Sequence, residues 1–325
     1  MSHIVVVGPG ALGILFSVRL SKAGQRVSIF DYRPDRAEYL NEFGLKLLEG
    51  QEEVWANPVV FVDPTEIDAP DFVMVLVKAH QTEGVVRELK AICSEQTLVV
   101  SLQNGIGAGE ILKKAVDEKN IFLGTTTHGA NKISWNQARH AGAGPTVLGP
   151  LMPQERLSER IDRFVQILCD AGFETKAVCD IYPHLWKKLL INIAINPLTA
   201  LTGLKNGMLL EHVQTLRLQE MVLKEAFTVL CASGVDLGMD LDGCMALVKQ
   251  VCEATGENVS SMLQDRLNCR ETEIDFMTGA VLNKAREIGI EAPINEMFTN
   301  LIRFNSKTKW QQFRKRLPEY PDNAL

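Results

Sequence analysis

Hydrophobic residues fall into two patterns along the chain, and the pattern changes near residue 180. Before that point, short apolar runs predict strands at 4–7, 26–30, 71–77, 97–102, 121–125, 146–148 and 174–178. Between them lie helical stripes at 11–23, 36–43 and 156–170, the first carrying Leu12, Leu15, Phe16 and Leu20 on one side. Unbroken apolar runs, not alternating ones, suit strands covered on both faces. Strand–helix alternation of this kind predicts a parallel, doubly wound α/β sheet of the Rossmann type. From Pro183 to Phe304 only the helical period is present, broken at Ser233-Gly234, Gly243, Gly256 and Gly289. The expectation is a dinucleotide-binding domain over 1–180 and an all-helical substrate and catalytic domain over 181–325. No repeat or low-complexity linker interrupts this plan, and the polar, Pro-containing stretch 306–325 is expected to fray.

Composition narrows the function classes. A chain of 325 residues exceeds one ordinary core, and 46% hydrophobic residues suffice for two. The net charge of −6 disfavours a nucleic-acid surface, so an anionic ligand would need a local cradle. No apolar run has the length of a membrane span. The opening Met1-Ser2-His3 leads into Ile4-Val5-Val6-Val7 and reads as a strand, not a signal peptide. The seven cysteines are scattered with no Cys-x-x-Cys. Free thiols in a reducing cytoplasm are expected, with no metal site.

Candidate chemistry sits at strand ends. Gly8-Pro9-Gly10-Ala11-Leu12-Gly13 follows the first strand and opens a helix. In that context Gly-x-Gly-x-x-Gly cradles a pyrophosphate against the positive end of the helix. At the end of the second strand, Asp31 could accept from a ribose 2′-hydroxyl, whereas Arg33 and Arg36 could hold a 2′-phosphate. These two signals oppose each other. Lys78 and Gln81 follow the strand 71–77, and Asn104 follows 97–102, all at carboxyl ends where ligands bind in this fold.

In the second half, Lys188, Asn192 and Asn196 recur every four residues and share one face of an otherwise apolar helix. Aligned polar groups there suggest a ligand-facing groove, although Asn196 could instead serve backbone groups at Pro197. Lys187 points about a quarter-turn away. Glu271, Glu273 and Asp275 crowd an expected helix start, and Glu273 borders the core stripe of Ile274, Met277 and Val281.

With these residues in order, the chain resembles the ketopantoate reductases (2-dehydropantoate 2-reductases). The motifs are Gly-x-Gly-Ala-Leu-Gly at 8–13, Leu-Val-Lys-Ala-x-Gln at 76–81, Gln-Asn-Gly-x-Gly at 103–107 and His-x-Gly-x-Gly at 140–144. They continue as Lys-x-x-x-Asn-x-x-x-Asn-Pro-x-Thr-Ala at 188–200, Asn206-Gly207, Ser-Ser-Met-x-Gln-Asp at 260–265 and Thr-Glu-Ile-Asp at 272–275. The resemblance implies Lys188 as general acid, Glu273 beside it, and Asn104 touching nicotinamide and substrate. It implies Asn192, Asn196, Asn206, Asn258 and Ser261 as substrate-binding residues. It also implies NADPH, with NAD the alternative, since Tyr32 and Arg33 compete for the place of the family's phosphate-reading arginine.

The chemistry is coherent on its own terms. Hydride delivered to a 2-oxo carbon leaves an alkoxide, and a protonated lysine can supply its proton. The expected reaction is reduction of a small branched 2-oxo acid, most simply ketopantoate to pantoate in pantothenate biosynthesis. Alternatives are a paralogue acting on another 2-oxo acid, a 3-hydroxyacid dehydrogenase of the 6-phosphogluconate type, and a nucleotide-sensing module without turnover. A homodimer is compatible with this plan. Partners other than the small substrate, such as nucleic acid or membrane, are not expected.

Overall fold

The computed structural model describes residues 1–307. It divides into two compact units, one of Met1–Gln103 with Gly107–Ile181, the other of Asn104–Ile106 with the chain from Tyr182 onward. The expected fraying from residue 306 falls almost wholly outside the described residues.

The first unit runs β1 (His3–Val7), α1 (Ala11–Lys22), β2 (Arg26–Phe30), α2 (Pro34–Phe43), β3 (Leu45–Glu49), β4 (Glu52–Ala56), β5 (Val59–Phe61) and β6 (Phe72–Val75). It continues with α3 (Val86–Ile92), β7 (Leu98–Ser101), α4 (Ala108–Leu112), β8 (Ile121–Thr126), β9 (Gly129–Lys132), β10 (Gln137–Gly142), β11 (Thr146–Pro150), α5 (Glu159–Asp170) and β12 (Thr175–Ala177). The main sheet has the order β12-β11-β8-β7-β6-β1-β2-β5. From β5 to β8 every neighbour is parallel, as the unbroken apolar runs require. The expected doubly wound sheet is thus parallel-dominated, with one antiparallel pairing at an edge, where β11 meets β8 and β12 follows β11. The cause is the excursion between β8 and β11, which returns the chain to the same edge with reversed direction.

That excursion belongs to a second sheet, of order β4-β3-β10-β9, which sequence reading did not anticipate. Its β3–β4 hairpin turns at Gly50, whose φ of 62° suits a tight turn, and buries Leu45 and Leu47. The β9–β10 strands are short, polar and half-buried, so they carry almost no periodic signal. Aromatic pairs pack α1 on the loop before β12 and α5 on β6. Phe16 stacks on Phe173 at 4.1 Å between centroids, and Phe72 on Phe164 at 4.6 Å.

The second unit contains α6 (Tyr182–Thr202), α7 (Val213–Ala232), α8 (Leu241–Ala254), α9 (Ser261–Leu267), α10 (Thr278–Ile288) and α11 (Pro293–Lys307). No strand occurs in it among the described residues. Helix α6 is central and packs against α7, α8, α9 and α11. Ile274, Met277 and Val281 are buried in its core, as their spacing predicts. The expected helix start at 271–275 is a correction: 271–273 is irregular loop, Ile274–Phe276 is one 3-10 turn, and α10 begins at Thr278. Among the described residues no helix is long and apolar enough to cross a membrane.

Candidate active site

The glycine loop has the shape its sequence demands. Gly8 adopts φ 99°, and a Cβ there would lie 2.6 Å from Val77 Cγ1. At Gly13 a Cβ would lie 2.1 Å from the Gly8 carbonyl, so only glycine lets α1 press against the loop. Gly10 differs. A Cβ on it would meet only the Leu76 carbonyl, at 3.9 Å, so this side of the loop is open to an approaching group. No side chain caps α1, whose N-terminal amides and dipole therefore face that opening. These features fit a dinucleotide pyrophosphate, with Gly8, Pro9, Gly10, Ala11, Leu12 and Gly13 as its cradle.

At the end of β2 the opposing signals are tied to each other. Asp31 is buried, and its carboxylate accepts from Arg36 through both Nε and a terminal nitrogen, the latter at 2.6 Å. It also accepts the Arg33 backbone N–H at 3.2 Å. The guanidinium of Arg33 instead reaches Asp35 at 2.6 Å and lies 5.1 Å over the Trp135 ring. Each arginine is thus already matched with one carboxylate. Hydrogen bonding to Arg33 pulls the Asp35 pKa below the ordinary carboxylate value.

The polar residues after β6 and β7 are held in place by local bonds. The Lys78 N–H donates to Gln81 Oε1 at 3.2 Å, closing a turn that leaves Lys78 half-buried and Gln81 exposed. Gln103 spans the two strand ends, donating to Val77 O and Thr82 Oγ1, both at 2.8 Å, and accepting from Ser101 at 2.9 Å. That bracing role was not read from the sequence.

Within the helical unit the structure brings together Lys188, Glu273 and Asn104. Asn104 Nδ2 donates to Glu273 Oε2 at 3.3 Å. The adjoining Gly105 has φ 86°, and a Cβ there would lie 1.9 Å from Phe276 O, so no side chain fits. Ile106 N–H donates to that same carbonyl at 3.0 Å, which docks the 104–106 segment on the 273–276 turn. Glu273 is buried and lies close enough to Lys188 to favour its charged form. Burial is the larger influence and brings the Lys188 pKa down to about 8. The net result is an ammonium that is charged at neutral pH yet loses its proton readily.

The other candidates divide. Asn192 is half-buried one turn beyond Lys188 on α6. Asn196 is buried, with Nδ2 at 3.8 Å from Met277 Sδ, so α6 faces the 273–277 segment in register: Lys188 with Glu273, Asn196 with Met277. Asn206 and Asn258 meet through a backbone bond of 3.1 Å, and Asn206 Nδ2 donates to Thr255 at 2.9 Å. Asn206 therefore braces a turn, while the Asn258 residue is exposed. Ser261 is half-buried at the start of α9; its neighbour Ser260 caps that helix and meets Thr199 Oγ1 at 2.6 Å. Glu271 is exposed, in contrast to Glu273. Lys187, next to Lys188 on α6, leaves the helix in a different direction, about a quarter-turn away.

Comparison with known proteins identifies the family. Residues 4–153 match the family model described as ketopantoate reductase PanE/ApbA, and residues 180–306 match the one described as its C terminal. A 2-dehydropantoate 2-reductase from Archaeoglobus fulgidus is 34% identical over 303 residues, covering 93% of this chain and 97% of that protein. A solved 2-dehydropantoate 2-reductase from Geobacter metallireducens superposes with a TM-score of 0.86 at 27% identity, covering 93% of this chain and 99% of that one. The fold is shared as well by a D-mandelate dehydrogenase solved with NADH and anilino(oxo)acetate, with a TM-score of 0.88 at 24% identity and coverage of 94% and 99%. With both of its parts matched in order by the family's two models, this chain belongs to the ketopantoate reductase family.

Proposed function

We propose that this protein reduces 2-dehydropantoate to pantoate with NADPH, and that NADH can replace NADPH. The observation that carries the reading is the Lys188–Glu273–Asn104 cluster, an acid with a tuned proton beside a buried carboxylate and an amide. The nicotinamide supplies a hydride when bound. Lys188 polarises the substrate's 2-oxo group and then gives its Nζ proton to the oxygen as negative charge builds there. Glu273 keeps that ammonium charged and oriented, and also fixes the Asn104 amide. Asn192, Asn196, Asn258 and Ser261 are proposed to hold the substrate's carboxylate and hydroxyl, with Asn206 supporting the turn that carries Asn258. The glycine loop, Asp31, Arg33, Lys78, Gln81 and Asn104 are proposed as the cofactor's contacts.

In this reading residues 1–180 bind the dinucleotide and residues 181–325 the substrate. A cytoplasmic location and a homodimer belong to the same proposal, checked by fractionation and by sedimentation. The functional test is steady-state oxidation of NADPH against a panel of 2-oxo acids. Turnover highest with 2-dehydropantoate is expected. Preference for a 2-oxo acid of another shape would move the chain to a paralogous activity, and no turnover with any of them would favour a nucleotide-sensing role.

A further inference from the structure

The unanticipated hairpin of β9 and β10 reaches the glycine loop. Lys132, the last residue of β9, donates from Nζ to the Pro9 carbonyl at 2.9 Å. Pro9 lies between Gly8 and Gly10, and Gly10 marks the open side of the cradle. The charge of Lys132 is therefore held at the rim of the anion site, next to the uncapped start of α1.

The hairpin is built to keep that position. Ile133 and Ser134 N–H groups both donate to Gln137 O, at 2.9 and 3.2 Å, and Ser134 Oγ meets Asn136 Oδ1 at 2.9 Å. Lys46 N–H of β3 donates to Asn136 O at 2.8 Å, which fastens the turn to the second sheet. The same turn carries Trp135, with Arg33 over one face of its ring and Tyr39 edge-on at 5.8 Å. One short hairpin thus touches the cradle at Lys132 and the β2 end at Trp135.

We propose that the β9–β10 hairpin is a cofactor-binding arm in which Lys132 binds the pyrophosphate oxygens of the dinucleotide. This deepens the assignment of a nicotinamide dinucleotide to the glycine loop and rests on it. Lys132 acts on the part common to NADPH and NADH, so it sets affinity for both and chooses between neither. A glycine loop alone offers amides and a helix dipole; the lysine adds a full charge that loop sequence does not reveal.

The test is a binding titration of the full chain with NADPH, NADH and ADP-ribose, without any 2-oxo acid, so it stands whichever substrate is turned over. Quenching of Trp135 fluorescence reports occupancy, with Trp135→Phe identifying its share of the signal. Lys132→Met is expected to weaken all three ligands by about tenfold, the scale of one charged hydrogen bond. The salt dependence of binding should become shallower at the same time, because a charge has been removed. Lys132→Arg should keep the wild-type salt dependence. Affinities of Lys132→Met within about twofold of wild type would overturn the proposal. A loss confined to NADPH would do so too, since it would place the ammonium at the 2′-phosphate. A loss with unchanged salt dependence would show a staple for the loop and no ligand contact.

Discussion

Asn104 donates its side-chain amide to the buried carboxylate of Glu273 at 3.3 Å, although 169 residues separate them in sequence. Gly105 makes that approach feasible, because any Cβ would strike the Phe276 carbonyl. Gly105→Ala should therefore displace Asn104 and strain a left-handed residue at once, at a cost of about 1–2 kcal/mol for the backbone alone. The expected outcome is a lower melting temperature together with a lower kcat/KM. Asn104→Ala should lower kcat/KM with little thermal effect. Equal melting temperatures for wild type and Gly105→Ala would mean that the 104–106 segment is not docked as described.

The two adjacent lysines of α6 give a direct comparison. Lys188→Ala should depress kcat/KM by about 10²–10⁴, the usual worth of positioned acid catalysis. Lys187→Ala should cost little, since its side chain leaves α6 about a quarter-turn from that of Lys188. Affinity for the dinucleotide should barely change in either. A larger loss for Lys187→Ala would show that the helix presents another face to the substrate, and the roles of Asn192 and Asn196 would go with it.

The pH profile follows from the same residue. Lys188 must be protonated to act as acid, and burial sets its pKa at about 8. Reduction should be near its maximum below that pH and decline as pH rises through it. The Glu273 carboxylate raises this pKa against the effect of burial. Glu273→Gln should therefore move the alkaline limb to lower pH, whereas a merely structural loss would lower the whole curve without moving it.

Much of this site was legible because its signals are local and periodic. The glycine loop lies between an apolar run and a helical stripe, and Lys188, Asn192 and Asn196 recur at the period of one helix face. The pattern alone did not choose among Glu271, Glu273 and Asp275; the Thr-Glu-Ile-Asp resemblance chose Glu273, and the structure buries it and exposes Glu271. The second sheet was not legible. Gly129-Ala130-Asn131-Lys132 has no alternation, and its pairing with β10, which in turn pairs with the distant β3, comes from tertiary contact. For the same reason Lys132 and Trp135 went unnoticed, and so did the bracing role of Gln103. The helix start placed at 271–275 failed because acidic residues there favour a turn as readily as a first helical turn.

Acid stability should depend on a histidine away from the site. His128 is buried, with Nδ1 at 3.0 Å from His140 Nε2, and its ring packs edge-on to Phe173. Arg19 lies over Phe173 and bonds Glu49 and His140. Burial, then His140 and Arg19, push the His128 pKa down to about 4. The unfolded chain takes this proton near 6.5, so it binds more protons than the folded chain between about 6.5 and 4. Stability should fall as pH drops through that window. His128→Phe should flatten the fall in melting temperature by about 3 °C or more. An unchanged slope would place the acid sensitivity elsewhere.

We place cofactor choice at the end of β2, where four charges cancel in pairs. Arg36 is bound by Asp31, and Arg33 by Asp35. A 2′-phosphate placed there would meet two guanidinium groups whose charge is largely compensated, so wild type should favour NADPH over NADH only modestly. Arg33 is the more exposed of the two and rests on Trp135, which leaves an N–H edge able to turn toward a phosphate. Arg33→Ala should therefore lose NADPH affinity well beyond any loss for NADH. Asp35→Asn should do the reverse, because it releases Arg33 from its partner, and NADPH should bind more tightly while NADH is unaffected. Dissociation constants for both dinucleotides, measured on wild type and these two variants, settle the matter. If Arg33→Ala weakens the two equally, or if wild type prefers NADH, then Arg33 is not the reader. Asp31 would take that role by releasing Arg36 and accepting from the ribose hydroxyls, and Asp31→Asn would then weaken NADH selectively.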